Sequence, residues 1–424
     1  MQNPRRLDKN LQFDKQRFEL VFIAGYAGRE YRGVDMRVYL DHSATTYVDP
    51  KVLEKMLPYF TEKFGNANSQ HGVGREAAVA VDKARGQVAA AINAKPNEIY
   101  FTSGGSEADD WVLQGVCEAN AAKGNEIIIS SIEHSAMMTT AKWLEKHGVK
   151  VTYLNVDKGG FVDLEQLENA ITDKTILVSV MLANNEIGTI EPIKDVVRIA
   201  KKHGVLVHTD AVQAVGSIPV DVKDLGVDFL SMSGHKFYGP KGVGALYIKN
   251  GVKIGKLLHG GEQERSMRAG TTNLASVVGM GEAIELAVKN LDENAKRITE
   301  LRNYFIDGVL ARIPYVRLNG DREKRLPCNA NFSFEYIEGE SILFSLDLAG
   351  VEASSGSACS SGSLEPSHTL LAIGVPVEIA HGSIRFSLGK DNTKEQIDYT
   401  LDVLVEVVER LRKMSPLYNV NKEN

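Results

Sequence analysis

From about Ala77 to Asp210 the chain alternates between two kinds of apolar pattern. Short runs at Ile99–Ser103, Glu126–Ser130, Val149–Val156, Thr175–Ala183 and Val205–Asp210 are rich in Ile, Val and Leu with few interruptions, which predicts strands buried on both faces. Between them, Glu107–Lys123, Met137–His147, Asp163–Ile171 and Ile193–His203 repeat apolar residues at helical spacing. That alternation predicts an α/β protein with a mostly parallel sheet covered by helices on both faces. Ligands of such sheets settle where the C-terminal ends of the strands open into loops. Asp228–Met232 reads as a further strand, and Asn290–Leu310 as a long helix leading to a second unit. That unit holds strands near Asn329–Tyr336 and Gly382–Leu388 and helices at Ser341–Ala349 and Thr393–Lys413. The polar tail after Met414 is expected to fray. At the other end, Val38–Asp41 reads as a first strand just after Met36, whereas Met1 to about Asp35 shows no periodicity and is expected to be a dispensable extension.

Length and charge narrow this picture. A chain of 424 residues exceeds one ordinary core and implies two domains. With 49 Lys and Arg against 55 Asp and Glu, its net charge is −6, a poor match for wrapping nucleic acid. Three cysteines are too few for a disulfide framework and point to a reducing compartment, the cytoplasm. The apolar run Leu20–Ala27 is far too short to cross a membrane and lacks the flanks of a secretory signal.

Four polar clusters fall in loops after predicted strands. Thr102–Glu107 places small and hydroxyl residues at a helix start, where free N–H groups and the helix dipole favour an anion; a plain N-cap by Ser106 is the simpler alternative. It is no nucleotide-binding P-loop, because no Lys-Ser/Thr follows. Asp210, in His208–Gln213, suits the ring nitrogen of a pyridine cofactor, or else caps the next helix. Lys236, in Ser233–Lys236, supplies the amine that imine chemistry requires, although most loop lysines are merely solvated. His134, beside Glu133, could stack on a ring or shuttle a proton, or be a satisfied loop histidine.

Together, in this order and spacing, the clusters resemble the aminotransferase class V family and, within it, the cysteine desulfurases of the NifS/IscS type. The resemblance runs from about Val38 to about Val405. It is carried by YLDHSATT (Tyr39–Thr46), GNANSQHGVGR (Gly65–Arg75), NNEIG (Asn184–Gly188), SGHKFYGPKGVGALY (Ser233–Tyr247), MRAGT (Met267–Thr271) and SSGSACSSGSLEPSH (Ser354–His368). It implies a fold-type I pyridoxal-phosphate transferase: a large domain, residues 45–292, around a seven-stranded mostly parallel sheet, and a smaller α+β domain, residues 36–44 and 293–424. It also implies pyridoxal 5′-phosphate as cofactor, L-cysteine as substrate and no metal. Lys236 resembles the Schiff-base lysine, Asp210 the partner of the ring nitrogen, Gln213 that of the phenolic oxygen, and His134 the residue stacked on the ring. Gly105, Ser106, Ser233 and His235 resemble the phosphate site, and Thr271 a phosphate ligand donated by the other subunit, which implies a homodimer. Asn185 and Arg385 resemble the pair holding the substrate carboxylate, a task for which a guanidinium is well shaped. Two departures stand out: Ser106 replaces the family's usual Thr, keeping the hydroxyl, and Ala108-Asp109-Asp110 replaces a Ser-Asp-Asn type run.

Cysteine usage separates a carrier from packing residues. Cys117 lies mid-helix and Cys328 beside a strand, as buried thiols do. Cys359 is set among Ser, Gly and Ala, which cannot build a core and expose the thiol. The resemblance makes it the sulfur-carrying nucleophile, and the 26 positions from Cys359 to Arg385 match the family's long-loop branch, which hands sulfur to a protein such as an iron–sulfur scaffold. Sulfur supply for iron–sulfur cluster assembly is the expected role, with tRNA thiolation as a further outlet. Selenocysteine lyase or another class V enzyme is the alternative, and a silent scaffold is disfavoured because Lys236 and Arg385 are both present.

Overall fold

The computed structural model describes residues 36–355 and 366–420. The N-terminal extension and Cys359 lie outside the described residues. The strands, in chain order, are β1 (Val38–Tyr39), β2 (Ile99–Thr102), β3 (Glu126–Ser130), β4 (Lys150–Leu154), β5 (Thr175–Ser179), β6 (Leu206–Asp210), β7 (Phe229–Ser233), β8 (Gly244–Ile248), β9 (Val316–Leu318), β10 (Asn329–Phe334), β11 (Val351–Glu352) and β12 (Ser383–Ser387).

A seven-stranded sheet runs in the order β2-β8-β7-β6-β5-β3-β4. It is parallel from β4 through β7, and β8 is antiparallel to both β7 and β2. Side chains alternate between its faces, as the pleat requires. Ile127, Ile129, Phe229 and Leu246 enter one core with the helices Gly105–Ala119 and Ser135–Glu145. Ile128, Val178, Val207 and Leu230 enter the opposite core with the helices Gly72–Ala91, Ile193–Lys202 and Leu274–Lys289. A strand covered on both faces is therefore apolar over much of its length, which explains the long apolar runs in the sequence.

A separate core gathers the antiparallel sheet β12-β10-β9 and the long helices Leu291–Arg312 and Lys394–Met414. Phe305, Phe332 and Phe386 stack edge to face within it, Phe305 lying 4.9 Å from Phe386. Val38 and Leu40 belong to this core, because β1 pairs in parallel with β11. The first described strand thus packs with the C-terminal half of the chain, and the loop after it crosses to the large sheet.

Three expectations need correction. The run Thr175–Ala183 is not one strand: β5 ends at Ser179, where pairing with β3 ends, and beyond it Val180 and Leu182 donate to His208 and Asp210 on the β6 side alone. The helix expected from Glu107 starts at Gly105. Within the tail expected to fray after Met414, Pro416–Val420 forms a short helix, with the Tyr418 ring 5.8 Å from that of Tyr336.

Candidate active site

The parallel strands deliver their C-terminal ends to one place. Asp210 ends β6, Ser233 ends β7 with Gly234–Lys236 turning after it, and His134 follows β3 as the N-cap of Ser135–Glu145. A cavity of about 320 Å³ opens there, lined by Gly105, Ser106, His134, Asn185, Asp210, Gln213, Ser233, His235, Lys236 and Arg385. That is within the usual range of small-molecule sites. Every candidate residue of the described chain except Thr271 is therefore brought together; Thr271 is exposed, away from this cavity, on the loop that precedes the helix Leu274–Lys289.

Each side chain is held by its neighbours. Lys236 Nζ donates to the carbonyls of Ser43, at 2.5 Å, and Ala44, at 2.8 Å, both on the loop arriving from β1. Gln213 also donates to the Ser43 carbonyl, at 3.1 Å. Asp210 accepts the Val212 N–H at 2.8 Å, which sets the direction of its carboxylate. Burial raises its pKa, while His134, the Val212 N–H and Lys236 oppose that shift. His134 Nδ1 accepts the Ala136 N–H at 3.2 Å, so the imidazole both caps a helix and faces the cavity. His235 contacts the Thr45 hydroxyl at 3.1 Å, and burial, then Lys236 and Lys241, lower its pKa to about 4.

Behind Asp210 lies a set of buried acids. Glu133 accepts the Ser130 hydroxyl at 2.6 Å and the Met181 N–H at 2.8 Å, and burial pushes its pKa up to about 8. Asp109 is 1% exposed, with its pKa raised well above the carboxylate range by burial and then by Asp210. His208, 3.8 Å from Asp109, is held between the hydroxyls of Ser179 and Ser231, and burial lowers its pKa to about 3. Burial disfavours the charged form of each of these groups, and in Asp210 the His134, Val212 N–H and Lys236 contacts work against it.

The residues present fit pyridoxal phosphate. The residue capping the helix Gly105–Ala119 is Gly104, which has no side chain to occupy the N–H groups at that end, where an anion is favoured. A Cβ on Gly105 would come within 2.7 Å of Val212, so this position must stay bare for the chain to lie so close. An amine (Lys236), a buried carboxylate (Asp210) and an imidazole (His134) line the same cavity, the groups a charged pyridine aldehyde needs.

Arg385 comes from the other core. It sits on β12 at 3% side-chain exposure, donating to Asp41 at 2.9 Å and to the Asn185 carbonyl at 2.9 Å. Its backbone pairs in both directions with Ser354, at 3.1 and 2.7 Å, five positions before Cys359 in the sequence. On the other side of Cys359, Ser367 donates to Glu186, and His368 contacts the Glu133 carbonyl at 2.9 Å. Both ends of the segment carrying Cys359 are thus tied to the rim of the cavity. The sequence reading missed Asp41, Glu186 and the Ser43 and Ala44 carbonyls. All four lie inside the quoted motifs, where only their partners could have revealed them.

Comparison with known proteins agrees with this geometry. Residues 38–400 match the aminotransferase class V family. A cysteine desulfurase IscS of Clostridium botulinum is 58% identical over 92% of this chain and 100% of its own length. One of Dictyoglomus turgidum is 56% identical over 91% and 99%. Among solved structures, a NifS-like protein at 44% identity covers 89% of this chain and 100% of its own, with a TM-score of 0.84. SspA in complex with cysteine, at 33% identity, covers 84% and 100% with a TM-score of 0.75. The chain belongs to the aminotransferase class V family, the pyridoxal-phosphate enzymes of this α/β fold. Within that family it is a cysteine desulfurase of the IscS type.

Proposed function

We propose that Lys236 and Cys359 divide the desulfuration of L-cysteine between them, and that the cavity at the ends of β3, β6 and β7 is where it occurs. The observation that carries this is the convergence of Lys236, Asp210, His134 and Arg385 on one cavity. Lys236 would hold the cofactor aldehyde, Asp210 the ring nitrogen, Gln213 the phenolic oxygen and His134 the ring face. Gly105, Ser106, Ser233 and His235 would hold the phosphate, with Thr271 of the other subunit in a homodimer. Bound there, the cofactor supplies an electron sink for charge developing at the substrate Cα.

Asn185 and Arg385 orient the substrate by its carboxylate. The Lys236 amine takes the Cα proton, and His134 assists the remaining proton transfers. The Cys359 thiolate attacks the substrate Sγ, the S–C bond breaks, and the alanine half keeps the electron pair and gains a proton. The anchoring of Ser354 to Arg385 and of His368 to Glu133 supports delivery of Cys359 to this rim. The persulfide then passes to an acceptor protein, an iron–sulfur scaffold or a tRNA-thiolating protein, in the cytoplasm. The two cores support a division into residues 45–292 and residues 36–44 with 293–424, leaving 1–35 as an extension.

Lys236→Ala tests the assignment of the amine. The parent is expected to be yellow and to change its absorption on adding L-cysteine; the variant is expected to lose both the colour and alanine release. A variant that keeps both would overturn the role of Lys236. Competition of L-cysteine with L-selenocysteine separates the desulfurase from a selenocysteine lyase.

A further inference from the structure

The turn Glu264–Arg265–Ser266 is backbone-strained without a glycine: its φ values are 47°, 56° and 64°, three consecutive residues in the left-handed region. Side chains tolerate that region poorly, so it persists only where the surroundings over-determine it. Here they do. The Glu264 carboxylate receives both Nη groups of Arg85, at 2.6 and 2.8 Å, and the Phe101 N–H of edge strand β2 at 2.9 Å. Arg265 donates to the Ile99 carbonyl at 2.7 Å and lies over the Tyr100 ring at 4.0 Å.

The result of this anchoring is the placement of Arg268. Its guanidinium grips Glu107 through Nε at 2.8 Å and Nη2 at 2.9 Å, and Glu107 in turn accepts the Ser103 N–H at 2.9 Å. Glu107 stands in the first turn of Gly105–Ala119, one residue from Ser106. An uncompensated carboxylate there would repel a phosphate dianion at the same helix end.

We propose that Arg268 is a positioning residue for the cofactor phosphate: it neutralises Glu107 at the cradle, and the strained turn 264–266 holds it in place to do so. This rests on Ser106 and Gly105 forming the phosphate cradle. Burial raises the Glu107 pKa, and the Arg268 and Ser103 contacts outweigh it, so the carboxylate stays ionised and needs its cation. Because the same loop continues to Thr271, the pair also joins a subunit's own cradle to the segment offered to its neighbour.

The test is the affinity of the apoprotein for pyridoxal phosphate, titrated by absorbance and fluorescence at low and high salt. Arg268→Gln is expected to weaken binding about tenfold, chiefly at low salt, through the exposed repulsion. The double variant Glu107→Gln/Arg268→Gln removes the repelling charge and is expected to return affinity to within about threefold of the parent. Circular dichroism on each variant checks that the fold persists. If Arg268→Gln binds like the parent, or the double variant is no better than the single, the proposal is overturned. Ser106→Ala in parallel separates the two levels. If it weakens binding while the Arg268 series fails, only the charge-pair proposal falls; if it has no effect, the cradle reading falls and takes the proposal with it.

Discussion

Replacing Arg385 by Gln probes the site where its two cores meet. In the structure the guanidinium is 3% exposed and is shared between Asp41 and the Asn185 carbonyl, with Nε unpartnered among the described residues. In the proposed reading, the substrate carboxylate competes for the N–H groups that Asp41 holds in this structure. Hydrogen bonds to a charged group contribute roughly 1.5–3 kcal/mol each. At about 1.4 kcal/mol per decade, losing one corresponds to a rise of roughly 10- to 100-fold in KM for L-cysteine. Arg385 does not line the phosphate end, so cofactor colour should persist. Gln also leaves Asp41 without its cation. Asp41 is 19% exposed, so the stability loss should be nearer about 1–2 kcal/mol than the larger cost of breaking a fully buried pair. Steady-state alanine release gives KM and kcat, and thermal melting of the apoprotein gives the stability term. Asp41→Asn is the contrasting variant: freeing the guanidinium should leave KM unchanged or lower it. A KM for Arg385→Gln within threefold of the parent would refute the carboxylate assignment. A rise for Asp41→Asn matching that of Arg385→Gln would refute competition between Asp41 and substrate.

Other parts of the molecule make separate predictions. Glu133 has a folded pKa of about 8, raised by burial, so between about pH 4.5 and 8 the folded chain keeps a proton that the unfolded chain releases. Its contribution is present at low pH and is lost as pH rises, by up to about 1.4 kcal/mol per pH unit. Glu133→Gln should therefore gain on the parent apoprotein in denaturant titrations from pH 5 to pH 8, and parallel curves would contradict the burial argument. Arg325, 3% exposed, donates to the carbonyls of Asp321 at 2.6 Å, Asn319 at 2.5 Å and Ile187 at 3.1 Å. Arg325→Ala should lose about 3 kcal/mol or more in denaturant unfolding by leaving these acceptors unmet, and a loss below about 1 kcal/mol would mean water replaces the guanidinium freely. Asp210→Asn removes the charge that would hold a protonated ring nitrogen; turnover should fall at least about a hundredfold while the yellow colour remains, and near-parental turnover would reassign that contact.

Much of this architecture was legible in the sequence because buried parallel strands are apolar over much of their length. Glu126–Ser130 is the clearest case, and the polar residues that close β6 and β7 mark where Asp210, Ser233 and Lys236 emerge. What did not show is set by long-range pairing. β8 was read only as part of a motif, because Gly244–Ile248 follows a glycine-rich turn. β11 is two residues long and exists through its pairing with β1, more than 300 positions away in the chain. The helices Gly72–Ala91 and Leu274–Lys289 pack closely through Ala and Gly, so their apolar stripes are faint. At the site, the residue types were readable from motifs, but their supports were not. Nothing in a sequence places the Ser43 and Ala44 carbonyls on Lys236, or Asp41 on Arg385. The buried layer of Asp109, Glu133 and His208 is equally a product of the fold, since each alone reads as a charged surface residue.

The most direct test of the account is to measure alanine and sulfide from L-cysteine with the purified yellow protein and a thiol reductant, beside Cys359→Ala. The account predicts equal amounts of alanine and sulfide from the parent, and a variant that stays yellow and binds L-cysteine but releases neither product. Undiminished alanine and sulfide from Cys359→Ala would contradict the assigned sulfur carrier, and a yellow parent that binds L-cysteine yet forms no alanine would contradict the reaction itself.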